Sequence, residues 1–110
     1  MSDTYLHLFH VVAIGSLFMY VGIQRTAIPA VLYPILLGLG FILFFYQAYK
    51  AYTKWVAGKN PWVNLIHVVL VAPLLIYIGF KGEETPRPAF ELLLLLGFAA
   101  IGYHGYYLFV

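Results

Sequence analysis

Four long apolar runs, separated by short polar segments, organise this chain of 110 residues. Each run is close to the length of the helix, about 20 residues, that crosses a bilayer core about 30 Å thick. Most of the charged residues fall between the runs or at their ends. The pattern therefore predicts an all-α integral membrane protein with four transmembrane helices, over residues 4–23, 28–52, 62–80 and 89–109.

The apolar runs also repeat. Residues 8–12 read Leu-Phe-His-Val-Val, and fifty-seven residues later the chain reads Leu-Ile-His-Val-Val. An ungapped alignment at this offset, starting at Leu8, gives 15 identities in 43 positions. We interpret this as a tandem repeat of two-helix units within one compact membrane domain. The two predicted units are residues 1–57 and 58–110.

Short loops between four spans favour an up-down-up-down antiparallel bundle. Because each repeat contributes two spans, both repeats enter from the same side. They are then expected to be related by a parallel pseudo-two-fold axis along the membrane normal. Three basic residues lie on the side of the termini and three on the other, so charge balance alone does not set the orientation. We expect cytoplasmic termini.

Composition supports the membrane class and limits the chemistry. The chain is 64% hydrophobic and only 9% charged, with a mean hydropathy of +0.91, which is too apolar for a soluble domain of this size. It contains no cysteine, so disulfides and thiolate metal sites are excluded. No basic run suggests nucleic acid as a partner. The lipid bilayer is the expected partner, and no set of residues suggests an enzyme.

Polar residues inside the spans concentrate near the ends that lie on one side of the predicted membrane. The repeat pairs them: His7 with Asn64, His10 with His67, and Gln47 with His104. Helical rise places the second and third pairs at a depth of about 10 Å. We call this set the polar layer: His7, His10, Tyr46, Gln47, Asn64, His67, Tyr103 and His104. Taken alone, His7 is expected to be an interfacial residue, because it lies so near the start of its span.

Three functions fit the polar layer. The first is binding or transport of a cation, either a proton or a transition metal, by a channel- or transporter-like bundle. The metal ligands would be His10, His67 and His104, with Gln47 nearby. A bundle this small has little room for a pathway through its middle, so this function favours a homo-oligomer.

The second function is electron transfer by a haem with His10 and His67 as axial ligands, which is similar in geometry to bis-histidine b-type cytochromes. The third is a non-catalytic membrane scaffold or assembly subunit, in which the polar layer only holds helices together. The length and four-span plan also resemble small multidrug-resistance transporters. That family's acidic residue in the middle of the first span is missing here, where Ala13, Ile14 and Gly15 stand.

Charged residues on the opposite side form a smaller set of candidates. Glu91 is expected in the first turn of the fourth span, paired with Arg87 four residues before it. Arg25 lies on the same side and is close enough in the predicted bundle to reach Glu91. The alternative for Glu91 is a carboxylate in an ion path.

Overall fold

The computed structural model of the chain describes residues 2–109. Within this range the backbone is helical apart from short turns, and no strand occurs. The six α-helices are α1 (Ser2–Phe9), α2 (Gly15–Gln24), α3 (Leu32–Val56), α4 (Trp62–Ile66), α5 (Ala72–Lys81) and α6 (Arg87–Phe109). Short π-helical turns, His10–Ile14 and His67–Val71, join α1 to α2 and α4 to α5. Single 3₁₀ turns, Arg25–Ala27 and Gly82–Glu84, follow α2 and α5.

These elements make four continuous helices that are long and apolar enough to cross a membrane. They run over Thr4–Ala27, Leu32–Val56, Trp62–Glu84 and Arg87–Phe109. The prediction of an all-α chain with four helices of spanning length is thus confirmed. The second helix begins later than expected, at Leu32, because Pro29 and Ala30 form a turn whose carbonyls accept from the backbone N–H groups of Leu32 and Tyr33.

Pro34 is consequently the third residue of α3. A proline inside a helix kinks it by removing a hydrogen bond, but the first residues of a helix have no such bond to lose. Pro34 therefore starts α3 without breaking it.

The helices pack as two compact units. Unit 1 consists of Met1–Ile28 and Pro86–Val110, and therefore pairs the first span with the fourth. Unit 2 consists of Pro29–Thr85, and pairs the second span with the third. Each unit thus takes one span from each of the two repeats that the sequence predicts.

In unit 1 the two spans run antiparallel and approach closely at glycines. A Cβ atom added to Gly22 would lie 2.8 Å from the Cβ of Leu94, and one added to Gly97 would lie 3.1 Å from the side chain of Met19. Small residues of this kind let transmembrane helices pack backbone to backbone. The apolar residues buried around them are Phe18, Val21, Ala89, Phe90 and Leu93.

In unit 2 the helices also approach closely at glycines, and one of these lies fifty-seven residues after its counterpart in unit 1. A Cβ atom on Gly79 would lie 2.6 Å from the backbone nitrogen of Leu37, and one on Gly40 would lie 2.7 Å from Cγ1 of Ile76. The offset relates Gly22 to Gly79 and Leu37 to Leu94. The buried apolar residues of this unit include Tyr33, Leu36, Leu74, Leu75 and Ile78.

Each unit also contains one π-helical turn that begins at a histidine. The backbone N–H of Gly15 donates to the carbonyl of His10, and that of Ala72 donates to the carbonyl of His67. In both places the backbone hydrogen bond spans five residues, where an α-helical hydrogen bond spans four. These turns are not predicted from the sequence, because one wider turn leaves the apolar composition of a span unchanged.

Candidate functional site: a histidine cluster and its amide counterpart

The centre of the candidate site in unit 1 is a direct bond between two histidines. The Nδ1 atoms of His7 and His104 lie 2.7 Å apart. His104 is 7% exposed, and His7 is half-buried. A contact this short between two ring nitrogens holds one hydrogen, so one imidazole donates while the other accepts. His7 therefore bridges the first and fourth spans, and its expected place at the membrane interface stays a prediction.

His10 extends this pair to a cluster of three imidazoles. Its ring stacks on that of His104, with centroids 4.2 Å apart and planes at 29°. Its Nδ1 lies 2.8 Å from the carbonyl oxygen of Leu6, one turn back on α1. Because a carbonyl only accepts, this Nδ1 carries a hydrogen, and the neutral ring has its lone pair on Nε2.

Two tyrosines of α6 complete what we call the histidine cluster. Tyr107 stacks on His7 with ring centroids 5.6 Å apart, and Tyr103 meets His104 edge-on at 5.1 Å. The two phenol rings also contact each other, with centroids 5.0 Å apart. The cluster therefore brings five polar aromatic side chains together: His7, His10, Tyr103, His104 and Tyr107.

Unit 2 carries an amide pair at the corresponding place. The Nδ2 of Asn64 donates to the Oε1 of Gln47 at 2.5 Å, and Asn64 is 7% exposed. The fifty-seven-residue offset relates Asn64 to His7 and Gln47 to His104. The same two positions thus bridge the helices in both units, once with imidazoles and once with amides, which do not titrate.

His67 makes the same local hydrogen bond as His10. Its Nδ1 lies 2.7 Å from the carbonyl oxygen of Val63, again one turn back. Both histidines begin a π-helical turn. This hydrogen bond to a carbonyl fixes the ring orientation and leaves Nε2 as the basic nitrogen, an arrangement that metal-binding histidines commonly use.

The predicted metal ligands are divided between the units. His10 and His104 belong to unit 1 and contact each other, while His67 and Gln47 belong to unit 2. Over the residues whose side chains are described, 4–109, no group of three or more histidine, aspartate or glutamate side chains is arranged to hold a metal ion. Tyr46, the repeat counterpart of Tyr103, lies on α3 with more than half of its surface exposed.

At the other end of unit 1, the ion pair expected from sequence spacing is present. The Nε of Arg87 lies 3.0 Å from Oε2 of Glu91, one turn later on α6. Both side chains are exposed, so the pair contributes little to stability. The Nε of Arg25 is buried and has no hydrogen-bond partner among the described residues.

Sequence reasoning missed Tyr107 and the pairing of His7 with His104. Tyr107 is one of ten tyrosines, most of them near span ends, where tyrosine commonly anchors a helix at the membrane surface. Its spacing from His104 on α6 was the available signal, because residues three apart share a helix face.

Comparison with known proteins identifies no relative of this chain. Neither a protein-family model, nor a characterised protein, nor a solved structure matches this chain. The functional argument therefore depends on the geometry of the chain itself.

Proposed function

We propose that this chain is a multi-pass membrane protein that handles protons, and that the histidine cluster of unit 1 is its proton-binding group. Membrane insertion is supported by exposed apolar residues near the middle of three of the four long helices. Ile42 is 69% exposed, Val69 is 72% exposed and Leu95 is 63% exposed. In water such surfaces would be costly, whereas lipid chains solvate them. The bilayer is then the main partner of the chain.

Proton handling is supported above all by the Nδ1-to-Nδ1 contact of His7 and His104. A proton that binds to Nε2 of the donating ring allows the bridging hydrogen to move to the Nδ1 of the accepting ring. The accepting ring then releases its own hydrogen from Nε2. One proton enters and one leaves, and neither ring has to rotate during the transfer.

The surroundings of the pair fit this role. His10 stacks on His104 and provides a third basic nitrogen, and Tyr107 stacks on His7 with a hydroxyl that can donate or accept. Titratable residues buried in a membrane helix commonly mark a proton or ion pathway. The proton is favoured over a transition metal because, over residues 4–109, no three histidine, aspartate or glutamate side chains are arranged to hold a metal ion.

A membrane scaffold or assembly subunit is the second candidate. The amide pair of unit 2 supports it, because Asn64 and Gln47 bridge their helices with no titratable group. If the histidines of unit 1 serve only the same purpose, an amide pair should replace them without loss. The two functions therefore predict different results when the amide side chains of unit 2 replace the histidines of unit 1: proton handling would be lost, whereas a scaffold would be unaffected.

The test is the double substitution His7→Asn with His104→Gln, which places the amide pair of unit 2 at the matching positions of unit 1. In proteoliposomes with an imposed pH gradient, we expect wild-type protein to dissipate the gradient faster than protein-free liposomes. The amide variant should remain helical and lose this activity. A scaffold would show no flux in either form, and the variant would assemble as the wild type does.

A matched control is the variant Asn64→Gln, which alters the amide pair of unit 2 and removes no titratable group. It should keep the proton flux.

Metal or haem binding by His10 and His67 stays a prediction, which an absorption spectrum and elemental analysis of the purified chain check. Homo-oligomerisation and cytoplasmic termini also stay predictions, for light scattering and site-specific labelling respectively.

We also propose that the chain is a tandem repeat of two-helix units, as the sequence alignment predicts. Several local features recur at the same offset and support this. They are the π-helical turns at His10 and His67, the 3₁₀ turns at Arg25 and Gly82, the close approaches at Gly22 and Gly79, and the side-chain bridges His7–His104 and Asn64–Gln47.

A further inference from the structure

Unit 2 contains an open apolar groove beside the loop that joins its two spans. The groove has a volume of about 280 Å³ and is lined by Ala51, Tyr52 and Trp55 of α3, by Pro61 of the loop and by Leu65 of α4. Trp55 is 73% exposed and Tyr52 is 63% exposed. Tryptophan and tyrosine are enriched where a membrane helix meets the headgroups, so the groove has the composition of a lipid-facing site at the membrane surface.

The loop beside the groove is held in a fixed conformation. The backbone N–H of Lys59 donates to the carbonyl of Lys54 at 2.8 Å, and that of Gly58 donates to the carbonyl of Trp55 at 3.1 Å. Gly58 has a φ of 78°. These features define a Schellman ending, in which glycine reverses the chain after a helix. Lys54 and Lys59 are therefore held close together at the end of α3.

Three lysines lie at this end of unit 2, and acidic residues are absent from it. Lys50 and Lys54 lie one turn apart on α3 and are half-buried, while Lys59 is exposed. The acidic residues of the chain are Asp3, Glu83, Glu84 and Glu91, so none falls between residues 4 and 82. Because the spans of unit 2 are antiparallel, Glu83 and Glu84 lie at its opposite end. The three positive charges thus have no carboxylate partner within this end of the unit.

We propose that this groove binds one anionic phospholipid, with an acyl chain against Trp55 and Leu65 and the phosphate near Lys54 and Lys59. The occupant is argued from charge complementarity, because a zwitterionic lipid would leave the lysine charges uncompensated. Basic residues beside pockets in membrane helices favour anionic headgroups. The proposal depends on the membrane insertion proposed above and is independent of proton handling by the histidine cluster.

Tryptophan fluorescence of the full chain in vesicles tests this proposal. The substitution Trp62→Phe leaves Trp55 as the only tryptophan, since the chain has two. The probes are phosphatidylglycerol and phosphatidylcholine with brominated acyl chains, each added at the same mole fraction to unlabelled phosphatidylcholine vesicles. We expect the brominated anionic lipid to quench Trp55 more strongly than the brominated neutral lipid. Dissolved glycerol phosphate should not reverse the preference, because the acyl chain contributes to binding.

Lysine substitutions in this single-tryptophan background locate the headgroup. Lys54→Gln and Lys59→Gln should each lower the relative affinity for the anionic lipid about fivefold, the factor expected for one basic residue near a membrane surface. Lys81→Gln, at the opposite end of unit 2, is the matched control and should leave the preference unchanged. Circular dichroism of each variant checks that the helices persist.

Three results would overturn the lipid site. Equal quenching by both lipids would show that the groove has no headgroup preference, while the membrane insertion proposed above would still hold. An unchanged preference in both loop-lysine variants would show that these residues do not bind the headgroup. If neither lipid quenched Trp55, the lipid site and membrane insertion would both be wrong.

Discussion

The close packing of the two spans in unit 2 predicts a large difference between two alanine substitutions. Gly79 lies where α5 crosses α3, and a methyl group there would be 2.6 Å from the backbone nitrogen of Leu37 and 2.8 Å from its Cα. Gly38 lies on α3, and a methyl group there meets no atom within 4 Å. Gly79→Ala should therefore separate the helices, whereas Gly38→Ala should leave them in place.

The magnitude follows from the distances. Ordinary contacts of a Cβ atom begin at 3.4 Å, so the methyl group of Gly79→Ala is about 0.8 Å too close to backbone atoms that cannot rotate away. Overpacking of this kind costs about 1–3 kcal/mol, against about 1 kcal/mol gained from the better helix propensity of alanine. We expect Gly79→Ala to lower the free energy of unfolding by up to about 2 kcal/mol. Gly38→Ala should raise it by up to about 1 kcal/mol.

The assay is unfolding of the purified chain in mixed micelles by increasing sodium dodecyl sulfate, followed by circular dichroism. Gly22→Ala provides the same test in unit 1, where the added methyl group would lie 2.8 Å from the Cβ of Leu94. Equal stabilities for Gly79→Ala and Gly38→Ala would refute the close crossing of α3 and α5 in unit 2.

Three further predictions use the same unfolding assay. Arg25 has a φ of 54°, which favours glycine, and Gly82 has nearly the same conformation in the matching turn of unit 2. Arg25→Gly should therefore raise the free energy of unfolding by about 1 kcal/mol. Gly82→Ala should lower it by at least as much. A destabilising Arg25→Gly would show that its side chain outweighs the backbone strain. Thr85 is buried, and its hydroxyl donates to the carbonyl of Gly82 at 2.7 Å and lies 3.3 Å from the carbonyl of Ile78. Thr85→Val should therefore cost about 1–2 kcal/mol. No change in stability would mean that water satisfies the carbonyl of Gly82. Asn64→Leu removes the partner of Gln47 and should cost about 1–2 kcal/mol, whereas Asn64→His, which can donate to the same oxygen, should cost less.

The helices could be predicted from the sequence because their signal is local. Apolar runs of spanning length favour a long helix, and the second helix starts later than predicted because Pro29 and Ala30 form a turn before Leu32. The candidate polar positions were chosen because polar residues recur at an offset of fifty-seven residues, and their function stays a prediction. The imidazole rings of His10 and His67 are hydrogen-bonded to backbone carbonyls, and the ring of His104 stacks on that of His10.

The pairing of the spans could not be predicted in the same way. Which helices contact each other depends on close approaches between distant residues, such as Gly22 with Leu94, and a single sequence gives no measure of them. For this reason the bond between His7 and His104 was missed, although both residues were in the predicted polar layer. The π-helical turns were missed because one wider turn leaves the composition of a span unchanged.

The most direct test of the account is the proton flux of the wild-type chain beside that of the double variant His7→Asn with His104→Gln. Both proteins would be reconstituted at equal density in liposomes with a pH-sensitive dye inside, and an acid step from about pH 8 to about pH 5 would cover the range in which imidazole titrates. The account predicts rapid acidification with the wild type and a rate equal to that of empty liposomes with a variant that remains helical. A folded variant that conducts protons as fast as the wild type, or a wild type no faster than empty liposomes, would contradict it.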